Sequence, residues 1–301
     1  MKIKYRSWDP KPESIAKIDQ ANEIIEEYQL NGYVLTLRQL YYQFIIRKWL
    51  DNTERSYKNL GTLVTKGREA GLISWAAIED RNREHHEFFF QEDERSVLED
   101  LEYGIRFDLW ERQEQYIEVW VEKEALGNVI ERPCRSLRVP YMSCKGFLSA
   151  SAAWLAGERF KAAQLRGKRC VMIHLGDHDP SGIDMTRDNK KRIDLFSRSH
   201  DVDVKRIALN MDQVDHYRPP PNPAKTTDSR ATGYIEKFGT KSWELDALEP
   251  SVIEELIREE VERHIDQDIW QQTLAEQEEA RQILSRLHDN WDEVRELLEE
   301  K

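Results

Sequence analysis

Two short motifs place carboxylates where one divalent cation could join them: V-E-K-E at residues 121–124 and G-D-H-D-P-S-G at residues 176–182. Each follows a strand-like apolar run. Residues 115–121 form the first, and residues 170–175 (C-V-M-I-H-L) the second, nearly continuous as in a strand buried on both faces of a parallel sheet. Glu122 and Asp177 thus stand at the carboxyl ends of two strands, with Asp179 just beyond, on the edge where open α/β sheets gather ligands. Crowded carboxylates repel one another unless a hard cation joins them, and Mg2+ suits a few carboxylates completed by water and substrate phosphate. The pattern points to phosphodiester chemistry with Mg2+, for which Mn2+ can substitute.

Two other readings of the second motif stay open. Asp177, Asp179, Ser181, Gly182 and Asp188 fall at positions 1, 3, 5, 6 and 12 of a calcium-binding loop. Such a loop follows an amphipathic helix, whereas a strand-like run stands here, Pro180 interrupts the loop and Asp184 takes a normally apolar position. A solvated acidic turn is the plainer alternative.

A further candidate group is T-L-R-Q-L-Y-Y at residues 36–42. Leu37, Leu40, Tyr41, Phe44 and Ile45 recur at helical spacing and form a core stripe, so Tyr41 faces inward. Tyr42 stands about 100° further round, one turn from Arg38. A guanidinium beside a phenol stabilises phenolate and can hold a phosphate through two hydrogen bonds. Taken alone, the pair reads as a surface contact; beside the carboxylate motifs, Tyr42 becomes a candidate nucleophile.

Together, V-E-K, the downstream D-x-D-P-x-G and the Tyr pair resemble the topoisomerase VI A-like family, to which the meiotic double-strand-break proteins belong. The resemblance spans about residues 33–248 and implies a winged-helix domain followed by a Toprim domain. It implies Glu122, Asp177 and Asp179 as metal ligands and Tyr42 as the nucleophile; Glu122 and, from its place one turn from Tyr42, Arg38 complete the catalytic group. It also implies a homodimer in which Tyr42 of one protomer meets the acids of the other. More loosely, it puts Lys225, Arg230, Lys241 and Glu244 near the active-site edge. The chain is shorter than typical topoisomerase VI A-like proteins and carries no ATPase fold, so ATP-driven strand passage would require a separate B-like ATPase partner.

Elements that position these residues follow from periodicity. Residues 12–30 read as a helix ended by Asn31-Gly32, Thr36 caps the tyrosine helix, and residues 53–70 make another helix ended by Gly71. Residues 72–75 and 77–79 suit a short wing, and residues 92–112 a connecting helix. Strands at 116–121, 139–143, 170–175 and 204–209 alternate with helices at 123–137, 148–164 and 183–196, which implies a parallel sheet. The Pro-rich run 219–230 excludes regular helix or strand. Two amphipathic helices fit the tail, packed on the body or on a partner chain. The expected class is α/β plus α: a winged-helix-like DNA-binding domain with the tyrosine (1–90), a connecting helix (91–115), a Toprim-like metal-binding domain (116–218), its associated segment (219–250) and an acidic helical tail (251–301).

Composition frames the partners. The net charge of −12 argues against nucleic acid only until its distribution is considered. Residues 251–301 carry 16 acids against 6 bases, leaving 41 against 39 in the first 250 residues. Residues 36–68 hold a local excess of +5. Arg55, Lys58, Lys66 and Arg68 on one helix, with Lys145 after the second strand, are the candidate DNA contacts. No apolar run reaches membrane-span length and no signal core opens the chain, so it is expected in the cytoplasm, nucleoid-associated if prokaryotic. Cys134, Cys144 and Cys170 lack metal or disulfide spacing and are expected to be reduced. The expected activity is Mg2+-dependent DNA cleavage by tyrosine transesterification. A Toprim-type nuclease that hydrolyses DNA or RNA, and a non-catalytic DNA-binding module, are the alternatives.

Overall fold

The computed structural model describes residues 2–79, 90–199 and 201–299. Helix α1 (Pro12–Leu30) opens with proline in its first turn and buries Ile18, Ala21, Ile24, Ile25 and Tyr28, while Ile15 remains exposed. After the short strand β1 (Leu35–Thr36), helix α2 (Leu37–Ile46) starts in a capping box: Thr36 Oγ1 accepts from Gln39 N at 3.3 Å, and Gln39 Oε1 accepts from Thr36 N at 2.9 Å. Helix α3 (Glu54–Glu69) is capped by Thr53 and closes against α1 and α2 over Leu40, Phe44, Leu60 and Val64.

The expected wing is not a hairpin among the described residues. Residues 75–77 form a 3-10 turn, and β2 (Ile78–Glu79) pairs in parallel with β1, Leu35 opposite Ile78. Burial of Ile73, Ala77 and Ile78 in the helical core draws this segment inward. Residues 80–89, at the end of the expected N-terminal domain, lie outside the described residues. Helix α4 (Glu94–Gly104) is shorter than expected, because Leu109 and Trp110 pack into the sheet core, where Trp110 Nε1 donates to Leu137 O at 2.7 Å.

The second half alternates as the sequence implies: β3 (Gln115–Val121), α5 (Gly127–Leu137), β4 (Tyr141–Ser143), α6 (Ala150–Leu165), β5 (Arg169–Leu175), α7 (Pro180–Ser197) and β6 (Val202–Ala208). The four strands form one parallel sheet in the order β4-β3-β5-β6. Alternation of side chains divides the core. Ile117, Val119, Val121, Val171, Ile173 and Leu175 share one face with α5, whereas Trp120, Cys170 and Met172 share the other with α6 and α7. Glu118 also lies on that second face, its two oxygens held at 2.8 Å by Arg159 Nε and Nη2. The three cysteines are buried and free.

Helix α8 (Met211–Tyr217) leads into the proline-rich segment. That segment is more regular than expected: β7 (Asn222–Pro223) pairs antiparallel with β8 (Lys241–Ser242), around α9 (Ala231–Phe238). A two-residue strand tolerates Pro223 because Ala224 N, the next donor, reaches Thr240 O at 2.9 Å. The tail forms three helices rather than two, α10 (Pro250–Glu262), α11 (Gln267–Asp289) and α12 (Trp291–Glu299). Ile253, Ile257, Val261 and Trp270 complete the sheet core, and α11 packs along α4. Among the described residues no helix is long and apolar enough to cross a membrane.

Candidate active site

The register Val121 opposite Leu175 brings Glu122 and the loop after β5 to one edge of the sheet, and Glu122 N donates to Leu175 O at 2.8 Å. Glu122 Oε2 accepts from Asp177 N at 2.9 Å, and Asp177 Oδ1 accepts from Leu245 N at 2.8 Å. This approach requires glycine at 182: a Cβ there would meet Asp177 O at 2.3 Å and Glu122 Oε2 at 2.9 Å. Asp179 caps α7, its Oδ1 accepting from Gly182 N at 2.6 Å and Ser181 Oγ at 3.0 Å. The calcium-loop reading fails here, since β5 precedes the motif and Asp188 lies within α7, paired with Arg192 at 3.0 Å.

Beneath the loop, Arg206 donates to Gly176 O at 2.8 Å, Asp177 O at 2.7 Å and Gly182 O at 3.0 Å. Its guanidinium is a fixed positive charge behind the acids, although burial pulls it down to about 10. Burial, then the neighbouring Asp177, pushes the Glu122 carboxyl above its usual range. Burial also raises Asp177, against the downward pull of Lys123. Glu122 Oε1 and Asp179 Oδ2 make no hydrogen bond among the described residues and are the oxygens left for a cation. Among those residues the acids are not gathered into a metal-holding group, because Lys123 occupies Asp177 Oδ2 and the α7 cap occupies Asp179 Oδ1.

Lys123 is the residue the sequence reading missed, although it stands inside V-E-K-E. Its ammonium lies 3.0 Å from Asp177 Oδ2, 2.8 Å from Glu244 Oε2 and 2.8 Å from Asp246 Oδ1. Burial opposes its charge, but these three carboxylates outweigh that and hold it protonated. Glu244 and Asp246 also hold Arg38, at 2.6 and 3.1 Å. Asp246, fully buried, was missed as well; W-E-L-D-A-L gave no sign that a second acid would turn inward.

Tyr42 is 3% exposed, and Glu244, Asp246, Arg38 and Lys123 are the charged groups around its phenol. Burial and the charges of Asp246 and Glu244 raise its phenol, with Arg38 and Lys123 pulling the other way. Tyr41 is occupied elsewhere: its hydroxyl accepts from Thr53 N at 2.9 Å and lies 3.1 Å from Thr53 O, pinning the turn between α2 and α3. A cavity of about 730 Å³ is lined by Tyr42, Arg38, Glu122, Asp177, Asp179 and Lys123. Tyr42 thus lines one cavity with Glu122, Asp177 and Asp179 of its own chain.

The candidate DNA contacts divide. Lys58 and Lys225 line the same cavity. Arg55 and Lys66 are exposed on α3, away from it. Arg68 is committed to the fold, stacked 4.6 Å over the Trp75 ring and donating to Trp75 O at 2.6 Å. Lys145 pairs with Glu124 at 2.6 Å, outside the cavity. Arg230 binds Asp184 at 2.8 Å, and Lys241 is exposed on β8. A larger cavity of about 810 Å³ opens near the amino ends of β3 and β5, around Gln115, Lys161 and Arg169, and includes none of the candidate acids. No protein-family model, curated protein or solved structure matches this chain.

Proposed function

We propose that the protein cleaves DNA by transesterification, with Tyr42 as nucleophile and a divalent cation held by Glu122 and Asp179, and by Asp177 once the cation displaces Lys123 from its Oδ2. The observation that carries this reading is the single cavity shared by the Tyr42 phenol and the three acids, bridged by Lys123. A parallel sheet with acids at its carboxyl edge supports a Toprim-like domain, and the three-helix unit bearing Tyr42 supports a winged-helix-like one.

The acids suit Mg2+ or Mn2+ because they are hard oxygens crowded together, and burial first, then neighbouring carboxylates, raises Glu122 and Asp177, which a cation would relieve. A cation bound there supplies positive charge against the non-bridging oxygens of a phosphodiester. Arg38 and Lys123, released in part from Glu244 and Asp246, would hold the phosphate beside Tyr42 and stabilise the phenolate. The exposed bases on α3 would hold flanking phosphates.

Hydrolysis by the same acids is the second reading, and one observation favours it: burial keeps the Tyr42 phenol protonated. Labelled supercoiled DNA incubated with Mg2+ or Mn2+, then denatured, separates the two. Protein bound covalently to DNA supports transesterification, free ends support hydrolysis, and intact DNA defeats both.

A further inference from the structure

We propose that His178 and Tyr234 are positioning residues for the divalent cation: together they lock the backbone between Asp177 and Asp179 and so set where the two carboxylates stand relative to Glu122. This rests on the metal site of the reading above, and not on how the phosphodiester is attacked. Asp177, His178 and Asp179 are consecutive, and in extended chain neighbouring side chains turn to opposite sides. The two acids line the cavity, while His178, 2% exposed, is turned from it into a cluster of rings.

The backbone of His178 is held on both sides. Its N donates to Trp243 O at 2.8 Å, and its O accepts from Trp243 N at 3.0 Å and from Tyr234 Oη at 2.8 Å. With both lone pairs of that carbonyl occupied, the peptide joining His178 to Asp179 cannot turn without losing two hydrogen bonds. The side chain adds a third tie, Nδ1 lying 2.7 Å from Tyr234 Oη. Tyr234 Oη has one proton, for which His178 O and Lys241 O, at 2.8 and 3.0 Å, are both placed to accept. The ring contact is therefore satisfied when Nδ1 donates and the phenol oxygen accepts, which assigns the neutral Nδ1–H tautomer.

Packing closes the lock. The His178 ring stands edge-on to Phe238, centroids 4.7 Å apart, with Tyr234 at 5.5 Å and Trp243 at 5.8 Å. Helix α9 supplies two of these three rings. Two residues beyond Trp243, Leu245 N donates to Asp177 Oδ1 at 2.8 Å, so the stretch that follows α9 holds one acid directly and the other through His178. The pair moves no proton and adds no charge to the site. A carboxylate already held need not be ordered when the cation binds, and outer partners of this kind are typically worth about 10–100-fold in metal affinity.

Mn2+ binding to the free protein, followed by the electron paramagnetic resonance of unbound Mn2+, tests this without DNA. Glu122→Gln identifies the signal as this site by removing it. Tyr234→Phe keeps the ring and loses the hydroxyl, and His178→Phe keeps the packing and loses the nitrogen; each should weaken Mn2+ binding about tenfold or more. His178→Asn, whose amide presents a donor near the place of Nδ1, should recover most of that affinity. Tyr41→Phe also loses a buried hydroxyl and is the stability control, expected to lower the melting temperature and leave Mn2+ affinity unchanged.

Wild-type affinity in Tyr234→Phe would overturn the proposal, as would equal affinities in His178→Phe and His178→Asn. Should His178→Phe fold poorly, Tyr234→Phe decides alone, because it leaves the backbone pairing with Trp243 in place. Wild-type protein that binds no Mn2+, or binds it equally well as Glu122→Gln, would remove the metal site and this inference with it; an unaffected Tyr234→Phe would remove this inference alone.

Discussion

Lys123 Nζ lies 3.0 Å from Asp177 Oδ2, so the residue immediately after Glu122 neutralises the other strand-end carboxylate. The same ammonium reaches Glu244 and Asp246, making it the common counter-ion of the loop after β5 and of the acids that hold Arg38.

Lys123→Met should therefore destabilise the fold by roughly 3–5 kcal/mol, since it leaves Asp177 without a cation and Glu244 and Asp246 with Arg38 alone. Urea unfolding measures this, and Asp246→Asn added to Lys123→Met should recover part of the loss. Wild-type stability in Lys123→Met would show that the cluster contributes nothing.

The two tyrosines should part company. Tyr41→Phe strips Thr53 N of its acceptor and should cost about 1–2 kcal/mol, while DNA cleavage persists. Tyr42→Phe should cost less, because Arg38, Lys123 and Asn222 still satisfy Glu244, but covalent adduct should vanish. Denaturant melts alongside an adduct assay decide the pair; cleavage by Tyr42→Phe at the wild-type rate would leave hydrolysis.

Gly182→Ala should damage both stability and the acid cluster. Its Cβ collides with backbone as well as with Glu122, so relief requires moving the loop, at a cost of ~1–3 kcal/mol. Thermal melts test the first effect and Mn2+-induced stabilisation the second. An unshifted melting temperature would mean that the loop adapts freely.

Acid should weaken the fold partly through His174. Burial, then Arg206, holds its imidazole down to about 3 in the folded chain, against about 6.5 when unfolded. A depressed folded pKa means that the unfolded state binds the proton first. Its stability contribution is full above about pH 6.5 and is lost as pH falls toward 3. His174→Asn keeps a polar partner for Thr186, which Nδ1 now meets at 2.8 Å, and should flatten the stability–pH curve across that window. An unchanged slope would assign the acid sensitivity to other groups.

DNA affinity should depend on α3 in part only. Neutralising Arg55, Lys58 and Lys66 should lower the salt slope by roughly three units, about one per phosphate contact, whereas Arg68→Ala should act mainly through stability. Fluorescence anisotropy across a salt series measures both, and an unaltered slope would place the DNA elsewhere.

Much of this arrangement is written locally. The stripe Ile18, Ala21, Ile24, Ile25 and Tyr28 specifies α1, Thr36 and Gln39 fix the start of α2, and alternating strands and helices imply the parallel sheet with Glu122 and Asp177 at its edge. Period, caps and strand ends are properties of neighbours in sequence, so they can be found in the chain alone. The inward face of Tyr41 belongs to the same class.

What lay beyond the sequence was the meeting of distant segments. Lys123 and Arg38 look like ordinary surface cations, and Asp246 like an ordinary turn acid, until the 3-10 turn at Leu245–Ala247 docks on α2 and draws them together. Glu118 in mid-strand likewise acquires its reason only when α6 brings Arg159 across the sheet. The placing of Tyr42 in one cavity with Glu122, Asp177 and Asp179 was decided at the same level, because opposite charges far apart in the chain choose partners through the packed surfaces that carry them. No spacing between the motifs encodes that choice: a linker sets how far a segment can reach, whereas burial and charge complementarity set where it stops.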